Sequence, residues 1–163
     1  RYSSMNNDNL AAFKNFFQTL NIIFIALLSG QTFYFFVGLY MIQSGNSDGF
    51  GGLNTIFMFI TPLVVLSSIF ASKFIYAKQV TEFDKSLSLE NKMVSYRIAN
   101  IIRLALLEGA NIFTISVMII TSSYFFAALF VVVIVLFFFN RPTKEKCIMD
   151  YDVSADDTLK LLV

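Results

Sequence analysis

The sequence predicts an all-α integral membrane protein: four transmembrane helices arranged as two related hairpins, with the N and C termini both cytoplasmic. Three observations predict this. Hydrophobic residues make up 56% of the 163, aromatics 17% and charged residues 14%, with twenty Phe and no Trp; soluble domains hold about 45 to 50% apolar and about 25% charged residues. Four apolar stretches, Phe16 to Ile42, Leu53 to Ala77, Ile98 to Thr121 and Tyr124 to Asn140, approach or exceed the roughly 20 residues needed to cross a hydrocarbon core about 30 Å thick. Finally, NIIFIALLSG at 21–30 returns as NIIRLALLEG at 100–109, seven of ten positions being identical at an offset of 79.

Taken in order, residues 1–15 form a polar N-terminal segment expected to be mobile or interfacial. The chain starts at Arg1 rather than Met, so residues are expected before it, and the first apolar stretch is too long for a signal-peptide core. The first hairpin occupies 16–77 and turns through Ser44 to Gly52, SGNSDGFGG, a segment without any base. Thr61-Pro62 is expected to kink the second span, whose Ser67, Ser68, Ala71 and Ser72 form a small-residue face. A charged cytoplasmic loop, 78–97, leads to the second hairpin at 98–140. Its last span is almost wholly Phe, Val, Leu and Ile and is expected to contact lipid. The cytoplasmic tail, 141–163, turns acidic at Asp150, Asp152, Asp156 and Asp157, ends apolar at Leu161, Leu162 and Val163, and is expected to fray.

Orientation follows from the bases. Lys14 precedes the first span, Lys73, Lys78, Lys85, Lys92 and Arg97 flank the central loop, and Arg141, Lys144 and Lys146 follow the fourth span. The other two connections contain no Lys or Arg, so the positive-inside rule turns them outward. A multi-pass protein of a bacterial inner membrane fits this pattern.

The chain has no His and one cysteine, Cys147, which excludes an internal disulfide, a thiol metal cluster and an imidazole site. No nucleophile with a base is visible, and the expectation is of no enzyme, no catalytic residue, no metal and no cofactor. Nothing points to nucleic acid; the expected partners are membrane lipid and further copies of the chain or other membrane subunits.

Glu108 is the one carboxylate inside the third apolar run, in the slot Ser29 holds in the first copy of the repeat. A charged side chain at mid-bilayer depth costs about 2.5 to 3.5 kcal/mol on insertion scales, so it normally faces a bundle interior or a subunit contact. At 100° per residue, Arg97, Asn100, Glu108 and Asn111 share about a third of the helix circumference. Arg103 stands about 140° from Glu108, which disfavours an intrahelical pair and lets Arg103 snorkel to the cytoplasmic interface. The matching first-span residues Ser29, Gly30, Gln31 and Thr32 are neutral but can hydrogen-bond, and Gly30 and Gly109 would permit close helix approach. Glu108 and Asn111 are thus the candidate ion-binding residues, supported by Ser29, Gly30, Gln31, Thr32, Asn100, Arg103 and Gly109.

The central hairpin and the stretch YRIANIIRLALLEGANIFTISVMII, in detail Ala105 to Phe113, resemble the rotor proteolipid, or c subunit, of rotary ATP synthases. That resemblance implies a ring-forming subunit in which Glu108 binds a proton or sodium ion, with Asn111 or a polar group of the first span as hydrogen-bond partner. The family's glycine repeat and its polar loop turn are absent here. ALLEG is also similar to small bacterial four-helix membrane proteins. Three readings stay open: an ion-binding subunit of an oligomer, a structural or accessory subunit whose Glu pairs with Arg103 or a partner's base, and a repeat-built transporter acting as a dimer with a midplane site between its repeats.

Overall fold

The computed structural model describes residues 2–45, 51–155 and 157, without the side chains of 2–14 and 51. It is all-α, with helices α1 (Tyr2–Gln43), α2 (Gly51–Glu82), α3 (Leu89–Thr121), α4 (Phe125–Phe139) and α5 (Lys144–Asp150). Three of them are long and apolar enough to cross a membrane, over Asn15–Gln43, Gly52–Glu82 and Leu89–Thr121. Large apolar side chains such as Phe33, Phe59, Phe70, Phe74 and Phe139 point outward, each more than 70% exposed or close to it, an outer surface suited to acyl chains and not to water.

The backbone of the polar segment at 2–14 is helical and continuous with the rest of α1. The outer turn at 46–50 and the acidic and apolar end of the tail, including Asp156 and Leu161 to Val163, lie outside the described residues. Helix α2 runs unbroken through Pro62. The loop between α2 and α3 shrinks to 83–88, where Asp84 accepts from both the backbone N–H (2.9 Å) and the hydroxyl (2.7 Å) of Ser86. Those bonds to the ionised form hold its carboxyl below the usual carboxylate range. Ser88 is the N-cap of α3, accepting from the backbone N–H of Asn91, with Glu90 in the first turn.

Helix α3 is the axis of the molecule. Half of its apolar window is buried, against 17% for α1 and for α2. Helix α1 runs parallel to it, with Phe17 against Tyr96, Gln31 against Asn111 and Tyr34 against Ser116. These contacts join residues 79, 80 and 82 apart, close to the repeat offset, so the two copies of the repeated word lie side by side and nearly level. Beyond the repeated words α1 and α3 stay in tight contact at Gly38, where an added Cβ would stand 3.0 Å from Met118 Cε and 3.1 Å from Ile119.

Ser122 ends α3 in a left-handed conformation, φ 51°, its N–H donating to Ile119. The chain then enters α4, which does not face lipid all round. Phe126, Phe130, Val133 and Phe137, a stripe at helical spacing, are buried, while Val131, Val132, Val135, Phe138 and Phe139 face out. Phe35 stacks on Phe130 at 4.1 Å and Phe24 on Phe137 at 5.0 Å. At fifteen residues α4 is about 22 Å long, and beyond Asn140 the chain bends by 71° into α5.

The tail through Val153 does not fray. Cys147, Tyr151 and Val153 join Phe17, Leu20, Met93 and Tyr96 in a buried cluster at one end of the bundle. Tyr96 Oη donates to the carbonyl of Thr143 at 2.9 Å and accepts from the N–H of the same residue at 3.0 Å, Lys92 donates to the carbonyl of Asp152 at 2.9 Å, and Tyr151 meets Ser95 at 3.1 Å. These bonds pin the tail across the end of α3.

Candidate functional site

Glu108 stands on the seam of α3 between a buried and an outward face. Leu104, Leu107 and Asn111 on one side are buried; Ile101, Ala105, Gly109 and Ile112 on the other are exposed, and Glu108 itself is half-buried. It lies thirteen residues before Thr121, about 20 Å along the helix, inside the apolar stretch long enough to cross a membrane. Among the described residues its carboxylate has no hydrogen bond and no ion pair. Next to it Gly109 is open: nothing lies within 4 Å of a Cβ built there, and the same holds at Gly30. The expected close approach through Gly30 and Gly109 is therefore absent within the chain, because both glycines, with Ser29, face outward. Thr32 is half-buried.

Arg103, the nearest base along α3, is committed elsewhere. It is buried, not snorkelling, and its Nη2 donates to Asn100 Oδ1 at 2.7 Å and to the carbonyl of Asn140 at 3.0 Å. Its guanidinium covers the ring of Tyr76 at 4.0 Å, and Tyr76 Oη donates to Asp150 at 2.5 Å. Asn100 is held in turn by its bond to the carbonyl of Tyr96, 2.8 Å. Lys146 donates to the carbonyl of Phe139 at 2.8 Å, so two cations meet the last carbonyls of α4, the negative end of its dipole. Arg97 lies over the ring of Phe16 at 5.6 Å. A pair between Glu108 and Arg103 is not present.

Asn111 is likewise not a partner of Glu108. Its Nδ2 donates to Oε1 of Gln31 at 2.6 Å, joining the two copies of the repeat through a buried amide pair. That bond leaves Gln31 Nε2 and Asn111 Oδ1 buried and unpartnered, as is Oγ1 of Thr61. Thr61 lies 21 residues before the end of α2 and Asn111 22 residues after the start of α3, which sets them at about one depth in the hairpin.

The expected residues thus separate into three places: Glu108 with Gly109 on the outer wall, Asn100 with Arg103 at the end of α4, and Gln31 with Asn111 between the copies. Sequence reasoning missed Tyr76, Asn140 and Asp150 as the setting of Arg103, and Thr61 at the amide level. Asn140 was visible as the polar residue ending a fully apolar run, but its carbonyl, not its side chain, receives the arginine. Among the described residues no three of His, Cys, Asp and Glu gather to hold a metal. No protein-family model, curated protein or solved structure matches this chain.

Proposed function

We propose that the chain is a non-enzymatic, multi-pass subunit of an oligomeric assembly in a bacterial inner membrane, in which Glu108 takes a proton, a cation or a donor from a neighbouring subunit. One observation carries this reading: the carboxylate has no partner among the described residues while the nearest arginine is turned to Asn100, Asn140 and Tyr76, and an unfilled glycine lies beside it. An ionised group left alone in hydrocarbon is costly, so something must neutralise it. A neighbouring copy seated on Ala105 and Gly109 would approach the backbone closely and enclose the carboxyl, as small residues allow in membranes. This is the c-subunit-like arrangement, without that family's glycine repeat.

In this reading α4 is the fourth crossing, its short length met by local thinning of the bilayer and by the basic residues that follow it. Both termini are cytoplasmic by the distribution of Lys and Arg. Carbodiimide labelling of Glu108 tests the ion-binding form: labelling fast at low pH and slowed by sodium or by high pH supports it. Absence of labelling together with loss of the oligomer in Glu108→Gln supports a structural subunit instead. If Glu108→Gln changes neither the oligomer nor any labelling, both are wrong.

The unpartnered donor and acceptor of the Gln31–Asn111 pair favour a second reading, a dimeric transporter with a midplane site between the repeats. Substrate flux in proteoliposomes that is lost in Gln31→Leu would support it.

A further inference from the structure

Between α1 and the bend that joins α4 to α5 lies an open groove of about 740 Å³, within the range of roughly 300 to 1,000 Å³ usual for small-molecule sites. Its two ends differ in chemistry. At one end stand Arg141 and Lys144 with the amides of Gln18 and Asn21; at the other, Ile22 and Ile25, which are 58% and 55% exposed, continue onto the outer wall of α1. Among the described residues no carboxylate lines it. Asn21 Oδ1 accepts from Arg141 Nε at 3.3 Å, which aims the guanidinium and leaves both terminal nitrogens free of any described bond. Lys144 has no hydrogen bond or ion pair among the described residues.

We infer that this groove binds the headgroup of an anionic glycerophospholipid, the phosphate on Arg141 and Lys144, the glycerol oxygens on Asn21 and Gln18, and an acyl chain along Ile22 and Ile25. Charge complementarity selects an anion, because two bases face the groove and, among the described residues, no acid does. Position selects a lipid: the bases follow immediately on the apolar α4, which ends at Phe139, and the apolar end opens on a surface of exposed isoleucines. Basic recesses between transmembrane helices on the cytoplasmic side are suited to anionic headgroups, each base adding about 1 kcal/mol, or about fivefold in affinity. The inference depends on the chain lying in a membrane and not on the role of Glu108.

The test reconstitutes the full chain in phosphatidylcholine vesicles and measures, by electron spin resonance, the association of spin-labelled phosphatidylglycerol relative to spin-labelled phosphatidylcholine. The expected result is a preference of about fivefold or more, falling to parity in Arg141→Gln/Lys144→Gln and unchanged in Lys78→Gln, which removes a base on α2. Should the double variant fold poorly, the wild type suffices, since a water-exposed groove loses its preference between about 0.1 M and about 1 M salt. Equal association of the two lipids, or a preference that survives both the substitutions and the salt, overturns the inference. Displacement of the lipid by free glycerol phosphate also overturns it, since the groove would then read a soluble phosphate.

Discussion

The two copies of one ten-residue word end in unlike surroundings. The first, on α1, lies at the rim of the bundle; the second, on α3, lies at its axis. Each opens with an asparagine whose Oδ1 accepts from an arginine, Asn21 from Arg141 and Asn100 from Arg103. Three residues on, both address the end of α4: Phe24 stacks on Phe137, and Arg103 bonds the carbonyl of Asn140. At the ninth position they part, with exposed Ser29 in one copy and Glu108 in the other. Similar local sequence therefore fixes helix and depth, while neighbours decide charge. Arginine is affordable at the axis because acceptors and an aromatic face surround it; the glutamate has no such company.

The comparison can be sharpened at several points. The largest expected effect concerns the seal over the axial copy. Burial pushes the Cys147 thiol up to about 12, so below that pH it stays protonated. Its maleimide labelling at neutral pH should run on the order of a thousandfold slower than for an ordinary cysteine, climb about tenfold per pH unit, and recover when Tyr151→Ala releases the tail. Next comes Arg103→Phe, which gives the axial copy the residue of the rim copy. It strands Asn100, the Asn140 carbonyl and Tyr76, and should lower stability by about 3 kcal/mol in detergent thermal unfolding. Phe24→Ala empties the matching slot and should cost about 2 kcal/mol, below the aqueous-core range because lipid supplies no hydrophobic term. Gln31→Leu cuts the buried amide bond to Asn111 that joins α1 and α3 just beyond the copies, at about 1 kcal/mol by the same assay. Glu108→Ser, the converse exchange, should alter the stability of the isolated chain by less than about 0.5 kcal/mol, since the carboxylate bonds nothing among the described residues.

The helical class and the long apolar helices were legible because hydrophobic length is read directly from composition. The nearly level placement of the copies was implicit in the repeat, once parallel helices α1 and α3 met at residues about 80 apart. The tail was not legible: from Arg141 to Val153 it has no apolar period, and its anchors are backbone carbonyls of Thr143 and Asp152, to which no side-chain pattern points. The isolation of Glu108 was half visible. Its helical angle from Arg103 disfavoured a pair, but only the bonds of Arg103 to Asn100 and Asn140 show where the base goes instead. Gly30 and Gly109 looked like contact residues because small residues in lipid usually are; nothing in one chain's sequence says whether the partner helix is its own.

That last point is open to direct trial in native membranes. In a Cys147→Ser background, Gly109→Cys places a thiol on the outer wall beside Glu108, and mild oxidation followed by gel electrophoresis reads whether two chains meet there. A cross-linked dimer that disappears when Glu108→Gln is added is the expected result. A chain that stays monomeric under oxidation, with the carboxylate intact, would contradict the claim that Glu108 looks to a neighbouring subunit.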